Sequence, residues 1–93
     1  MTPLRDLRLT RAPRHLARAG LLCWARGRLG RLQLDGLAVR VTRRGRLVVT
    51  WPVRRDSRGH DHRVVWPVDP SVREAVRAQV LAEVRRRLGE AEQ

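Results

Sequence analysis

The sequence has 93 residues, a mean hydropathy of −0.47 and no apolar run approaching the ~18 residues that a membrane-spanning helix needs. The length suits one domain, residues 1–93, with a core of modest size. All 21 basic residues are arginine, and against nine acidic residues they give a formal net charge of +12. Because the start of the chain also lacks the apolar segment of a signal peptide, we expect a cytoplasmic protein without a membrane partner.

The positive charge is concentrated in the first two thirds of the chain. Residues 1–63 contain sixteen arginines and four aspartates, a balance of +12, whereas residues 64–93 contain five basic and five acidic residues. The codon usage of a GC-rich genome explains the missing lysine but not this distribution. Such an uneven field attracts polyanions, so nucleic acid is the partner that we expect.

Short apolar stretches separated by turn residues predict strands in this part of the chain. The first strand is marked by three leucines, Leu4, Leu7 and Leu9. The segment 15–26 fits a helix or a strand, and we favour a strand because Gly20 and Gly27 bound a short element. The Asp35-Gly36 pair then predicts a hairpin turn, followed by alternating apolar residues from Leu37 to Val41.

Residues 43–46 predict the next turn, and two Trp-Pro-Val arms follow it. The arms, 46–51 and 62–66, are predicted to be neighbouring strands, because Pro52 and Pro67 suit strand ends. The loop 52–61 between them would project arginines from one end of the sheet. Short connections throughout predict an antiparallel meander.

A helix is predicted over about 70–88. Asp69 suits the N-cap and Pro70 the first helical position. An apolar stripe follows, made of Val72, Val76, Val80, Val84 and Leu88. Gly89 predicts the end of the helix and a frayed tail over 90–93. The fold class is therefore α+β: a small antiparallel β-sheet followed by a C-terminal α-helix.

Titratable groups are too scattered to predict an enzyme. His60-Asp61-His62 could contribute two metal ligands, but a third ligand is missing and the neighbouring arginines oppose a cation. We therefore expect no catalytic site, cofactor, metal or small-molecule substrate. The three tryptophans fit either the core or a surface on which bases stack. The predicted binding site is a set of seven arginines on two turns: Arg54 and Arg55 above all, with Arg43, Arg44, Arg46, Arg58 and Arg63.

The ordered motifs of the chain resemble the SpoVG family of bacterial septation regulators. The residues that carry the resemblance are Asp6-Leu7-Arg8-Leu9, Leu47 to Arg55, Gly59, Trp66-Pro67-Val68, Ser71, Arg73 and Val80-Leu81-Ala82-Glu83. The two prolines are fifteen residues apart, as in the family. Val53, Arg58, Trp51 and Trp66 depart from the family pattern, and residues 12–31 align only loosely.

The resemblance implies a homodimer that binds DNA, and RNA as well, to regulate gene expression, and it implies no enzymatic activity. Arg54 and Arg55 match the family's basic pair. Two other classes of protein fit the composition: a ribosomal or nucleoid-packing component without sequence preference, and an adaptor that binds an acidic protein.

Overall fold

The computed structural model describes the backbone of residues 2–92 and the side chains of residues 2–89, so Met1 and Gln93 lie outside the described residues. The elements are, in chain order, β1 Leu4–Arg11, α1 Arg14–Ala17, β2 Leu21–Leu29, β3 Leu32–Val41, β4 Leu47–Thr50, β5 Val53–Arg55, β6 Asp61–Arg63 and α2 Pro70–Glu92. Strands β1 to β4 form an antiparallel meander in sequence order, and β5 pairs with β6 in a separate two-stranded sheet. The α+β class is as predicted.

The main core lies between α2 and one face of the four-stranded sheet. Leu37 and Val39 of β3 and Val76 and Val80 of α2 are fully buried there. The two strand residues are two positions apart and therefore point to the same face of the sheet. On the other face, a smaller cluster made of Ala12, Leu21 and Ala38 is covered in part by Leu16 and Trp24.

Helix α2 begins where the sequence predicts. One carboxylate oxygen of Asp69 accepts hydrogen bonds from the Ser71 main-chain N–H and hydroxyl, at 2.9 and 2.8 Å, and Pro70 follows the cap. The helix does not end at Gly89, however, because this glycine lacks the positive φ of a C-terminal cap and the helix continues to Glu92. Within the described part of the chain, no helix has the length and apolar character needed to cross a membrane.

The Asp35-Gly36 pair lies inside β3, so the hairpin turn predicted there is wrong. Strands β2 and β3 are joined instead through Gly30, whose φ is +59°. The pairing register of β2 and β3 shifts beside Gly36, whose φ is +84°, and β3 carries one extra residue at that point. A glycine at positive φ serves a bulge as well as a turn, which is why the dipeptide alone misleads.

The segment 15–26 is not one strand. Its first part belongs to the single-turn helix α1, which follows Pro13 and is closed by hydrogen bonds from the main-chain N–H of Leu16 and of Ala17 to the Pro13 carbonyl. Strand β2 then begins at Leu21 and continues through Gly27, so the prediction that Gly27 ends the element is wrong. Leu16 packs on the small cluster, so a tertiary contact decides the conformation of an ambiguous segment.

The two Trp-Pro-Val arms are not paired strands. Strand β4 pairs with β3, and the second arm contributes only residues 62–63 to a strand, β6, which pairs with β5; residues 64–66 are irregular. Pro52 ends β4 as predicted, and its carbonyl accepts a hydrogen bond from Val64 at 3.1 Å. The arms meet through their side chains, because the rings of Trp51 and Trp66 contact edge to face with centroids 6.1 Å apart.

Candidate nucleic-acid interface

The β5–β6 hairpin carries four of the seven predicted arginines. Arg54 lies opposite His62, and Arg55 lies opposite Asp61. Because successive strand residues point to opposite faces, Arg54 and Arg55 point away from each other. The basic pair predicted to act together is therefore divided between two faces of a thin, exposed ribbon.

Asp56 organises the tip of this hairpin. One of its carboxylate oxygens accepts hydrogen bonds from the main-chain N–H groups of Arg58 and His60, both at 2.9 Å. The other accepts a 2.7 Å hydrogen bond from Nε2 of His62. The histidine cluster considered as a metal site is thus engaged with this carboxylate, and the turn leaves the Arg58 side chain exposed.

Acid should loosen this turn. The hydrogen bond from His62, followed by those from the main chain, holds the pKa of Asp56 below its ordinary value of 3.8. Because the folded pKa is depressed, the stabilisation is complete above the ordinary value and is lost as the pH falls through the folded pKa. We expect the amide proton shifts of Arg58 and His60 in an NMR titration to move toward random-coil values in that range.

The Asp56→Asn variant should lack this acid transition, because an amide does not titrate. Asp35→Asn is the matched control: the Asp35 side chain is exposed, and its carboxylate has no hydrogen bond or ion pair with any residue that the structure describes. It should keep the transition of the parent protein. Constant Arg58 and His60 shifts in the parent protein throughout the acid range would show that the carboxylate does not hold the turn.

The arginines of the hairpin differ in whether they have a carboxylate partner. Nε of Arg55 lies 3.1 Å from Oδ1 of Asp61 in an exposed ion pair. Arg54, Arg58 and Arg63 have no carboxylate partner within the described part of the chain. These three guanidinium groups keep their hydrogen-bonding capacity for a ligand.

Trp66 lies beside this hairpin and lines a cleft of about 460 Å³. The guanidinium carbons of Arg63 and Arg73 lie 3.6 and 4.2 Å from its ring centroid, within cation–π range. Arg73 also donates hydrogen bonds to the carbonyls of Pro67 and Val68. Trp51 belongs to the core and Trp66 packs against it, so both rings help to fix the hairpin to the body of the protein.

The other three predicted arginines lie elsewhere. Arg43, Arg44 and Arg46 occupy the turn between β3 and β4, where Arg46 N donates to the Thr42 hydroxyl at 3.1 Å. This turn precedes β4, whereas the β5–β6 hairpin follows it, so the two turns are attached to opposite ends of that strand. The structure therefore divides the predicted set of seven into two groups.

Five further exposed arginines escaped the sequence prediction. They lie on the face of the four-stranded sheet that is opposite α2: Arg5, Arg8, Arg26, Arg28 and Arg40. The alternation of Trp24, Arg26 and Arg28 along β2 is a signal for such a face. The sequence could not assign these arginines to one face, because the segment that contains β2 fitted a helix as well as a strand. Even for a strand, a one-residue shift of register moves every side chain to the other face.

The arginines of α2 are different, because glutamates neutralise several of them. Arg77 donates two hydrogen bonds to Glu74, and Arg86 and Arg87 both bond to Glu83. These contacts hold the pKa of both glutamates below its ordinary value, chiefly through the arginine hydrogen bonds. Most arginines without a carboxylate partner in the described structure therefore lie outside α2. No protein-family model matches the sequence, and no curated protein matches it.

Proposed function

We propose that this protein is a cytoplasmic nucleic-acid-binding regulator of bacterial gene expression and that the β5–β6 hairpin binds the nucleic acid. The observation that carries the proposal is the excess of exposed, unpaired arginine. Of the sixteen arginines in residues 1–63, only Arg28 and Arg55 form an ion pair with a carboxylate within the described structure, which leaves fourteen. Guanidinium groups bind phosphate in a planar, two-pronged geometry and contact guanine edges in the same way.

The shape of the hairpin supports binding to a duplex. A two-stranded β-ribbon fits the major groove of B-DNA, and this ribbon presents Arg54 on one face and Arg55 and Arg63 on the other. Helix α2 suits this role less well, because three of its five arginines are bonded to its own glutamates. The resemblance to SpoVG regulators supports a regulatory role, a homodimer and DNA as a target, with RNA as a second polymer.

The proposal is tested by the salt dependence of binding to a duplex. If four to six phosphates are neutralised, the logarithm of the binding constant should fall with the logarithm of salt concentration with a slope of about −4 to −5. The double variant Arg54→Gln/Arg58→Gln removes two unpaired guanidinium groups and should reduce the magnitude of that slope by about 2. Fluorescence anisotropy of a labelled duplex measures both quantities.

The matched control is Arg86→Gln/Arg87→Gln, which lowers the net charge equally on α2, where Glu83 bonds both arginines. Its slope should stay near that of the parent protein. Equal changes in the two double variants would remove the hairpin from the binding site.

A nucleoid-packing or ribosomal protein is the alternative, because arginines spread over two turns and a sheet suit sequence-independent contact with phosphates. Selection from a random-sequence duplex library separates the two functions. A regulator should enrich a defined sequence over successive rounds, whereas a packing protein should enrich none.

A further inference from the structure

The four-stranded sheet has one face covered by α2 and an opposite face on which only α1 packs, at one corner, among the residues that the structure describes. The pairing register assigns side chains to that open face. Leu4 and Leu29 lie opposite each other and pack on the core, so the next pair, Arg5 and Arg28, points away from α2. Arg26 is two residues from Arg28 on β2 and therefore lies on the same open face, and the register pairs Arg8 with it.

Arginines that lie directly opposite each other are an unusual feature of this face. Like charges at opposed positions destabilise a sheet, because the Cβ atoms are only about 4.5–5.5 Å apart. Asp6 offsets one of the two pairs, since its carboxylate lies 3.0 Å from the Arg28 guanidinium. Neither Arg8 nor Arg26 has a carboxylate partner within the described structure. A bound anion between these two side chains would convert the repulsion into two favourable interactions.

Trp24 lies next to these arginines on the same face. It occupies the row Thr10, Trp24, Ala38 and Thr50 across the four strands, adjacent to the row of Arg8 and Arg26. The Trp24 side chain packs on the small cluster and is half-buried, so part of it remains accessible on this face. Unlike Trp66, it has no ring or guanidinium partner within the described part of the chain. An indole beside unpaired arginines is the combination on which unpaired bases stack while phosphates are neutralised.

The spacing of these groups fits single-stranded nucleic acid better than a duplex. Arg26 and Arg28 are two residues apart on β2, which separates their Cα atoms by roughly 6.6 Å, and neighbouring strands are about 4.8 Å apart. The open face therefore presents its arginines at short intervals on a sheet surface, with a ring among them. A groove of B-DNA is entered by a projecting ribbon or helix, and its bases are stacked on each other and not available to an indole.

We propose that the open face of the sheet is a second binding surface, on which Trp24 stacks an unpaired base and Arg8, Arg26 and Arg28 contact the flanking phosphates of single-stranded DNA or RNA. Arg5 and Arg40 extend the same face at either end. This inference rests on the proposed nucleic-acid-binding function and adds to it a surface and a form of nucleic acid.

The test measures anisotropy of a labelled 12-nucleotide oligothymidylate and of a labelled duplex over a range of salt concentrations. Arg8→Gln/Arg26→Gln should reduce the magnitude of the salt slope for the single strand by roughly 0.7 to 1.4, at ~0.7 for each phosphate that is no longer neutralised, depending on whether the two side chains share one phosphate. Trp24→Leu keeps an apolar group over the small cluster and should weaken single-strand binding roughly tenfold, because leucine cannot stack on a base. The control Arg86→Gln/Arg87→Gln should leave single-strand binding near that of the parent protein.

Folding is checked by thermal melting without ligand. Arg8→Gln/Arg26→Gln relieves a cross-strand repulsion, so it should melt at or above the temperature of the parent protein, and weak binding cannot then be assigned to unfolding. A parent protein that binds neither oligonucleotide would overturn the proposed function itself. Two other results would overturn only this second surface. In the first, the parent protein binds the duplex but not the single-stranded oligonucleotide. In the second, the sheet variant and the helix control change single-strand binding equally.

Discussion

Leu37→Ala should lower the free energy of unfolding by about 2–5 kcal/mol. Leu37 is fully buried in the cluster where β3 meets Val76 and Val80 of α2. Removing three carbons there costs the transfer free energy of those atoms and leaves a cavity that the sheet and helix close only in part. The loss is large for a chain of this size, because small domains are stable by only about 5–15 kcal/mol. Urea denaturation followed by circular dichroism measures the change.

Leu32→Ala is the matched control for this variant. Leu32 begins the same strand, but 56% of its surface is exposed. Its truncation should change stability by no more than about 0.5 kcal/mol, as is usual for exposed positions. Equal losses in the two variants would mean that α2 does not cover the sheet as described.

Gln79→Met should lower the free energy of unfolding by about 1–3 kcal/mol. The Gln79 side chain accepts a hydrogen bond from the main-chain N–H of Leu4 and donates one to the Leu4 carbonyl, both at 2.8 Å. These bonds join α2 to the first residue of the edge strand β1, 75 positions away in the chain. Methionine has a similar volume but cannot form them, so two main-chain groups of a buried residue would lose their partners.

Gln33→Met makes the same chemical change at an exposed position. The Gln33 amide makes only two long hydrogen bonds, both at 3.4 Å, to the carbonyls of Gly27 and Leu34. Its replacement should alter stability by no more than about 0.5 kcal/mol. Hydrogen exchange adds a local readout: in Gln79→Met, the amides of β1 should lose protection before those of β3. Uniform loss across the sheet would contradict a specific connection between α2 and β1.

The candidate interface was only partly predictable from the sequence. Charge counting identified the basic part of the chain, and the turn at residues 43–46 and the exposure of the predicted arginines are confirmed. The division of the seven arginines into two groups depends on which strands pair. Strand pairing depends on residues that are far apart in the sequence, so the local pattern does not specify it. Arg54 and Arg55 also point apart, because β5 pairs with β6 in a ribbon of its own instead of forming a loop.

The residues of the open sheet face were even less predictable from the sequence. Arg8 and Arg26 are eighteen residues apart and have no sequence motif in common, yet the register of β1 with β2 places them side by side. That register includes an irregular position near Asp6, which the local pattern does not specify. A shift of one residue would send these arginines into the core.

Several features follow from neighbouring residues alone: the N-cap at Asp69, the buried part of the α2 stripe at Val76, Val80 and Val84, the turn at residues 43–46 and the end of β4 before Pro52. Leu88, the last residue of the predicted stripe, is exposed. Capping, helical periodicity and the missing proline donor act within a few residues, so the local sequence specifies them. The bulge at Gly36, the single-turn helix before β2 and the division of the arginines among a hairpin, a turn and a sheet face depend instead on tertiary packing. The conformations permitted to those segments differ little in local free energy, and packing against distant residues selects among them.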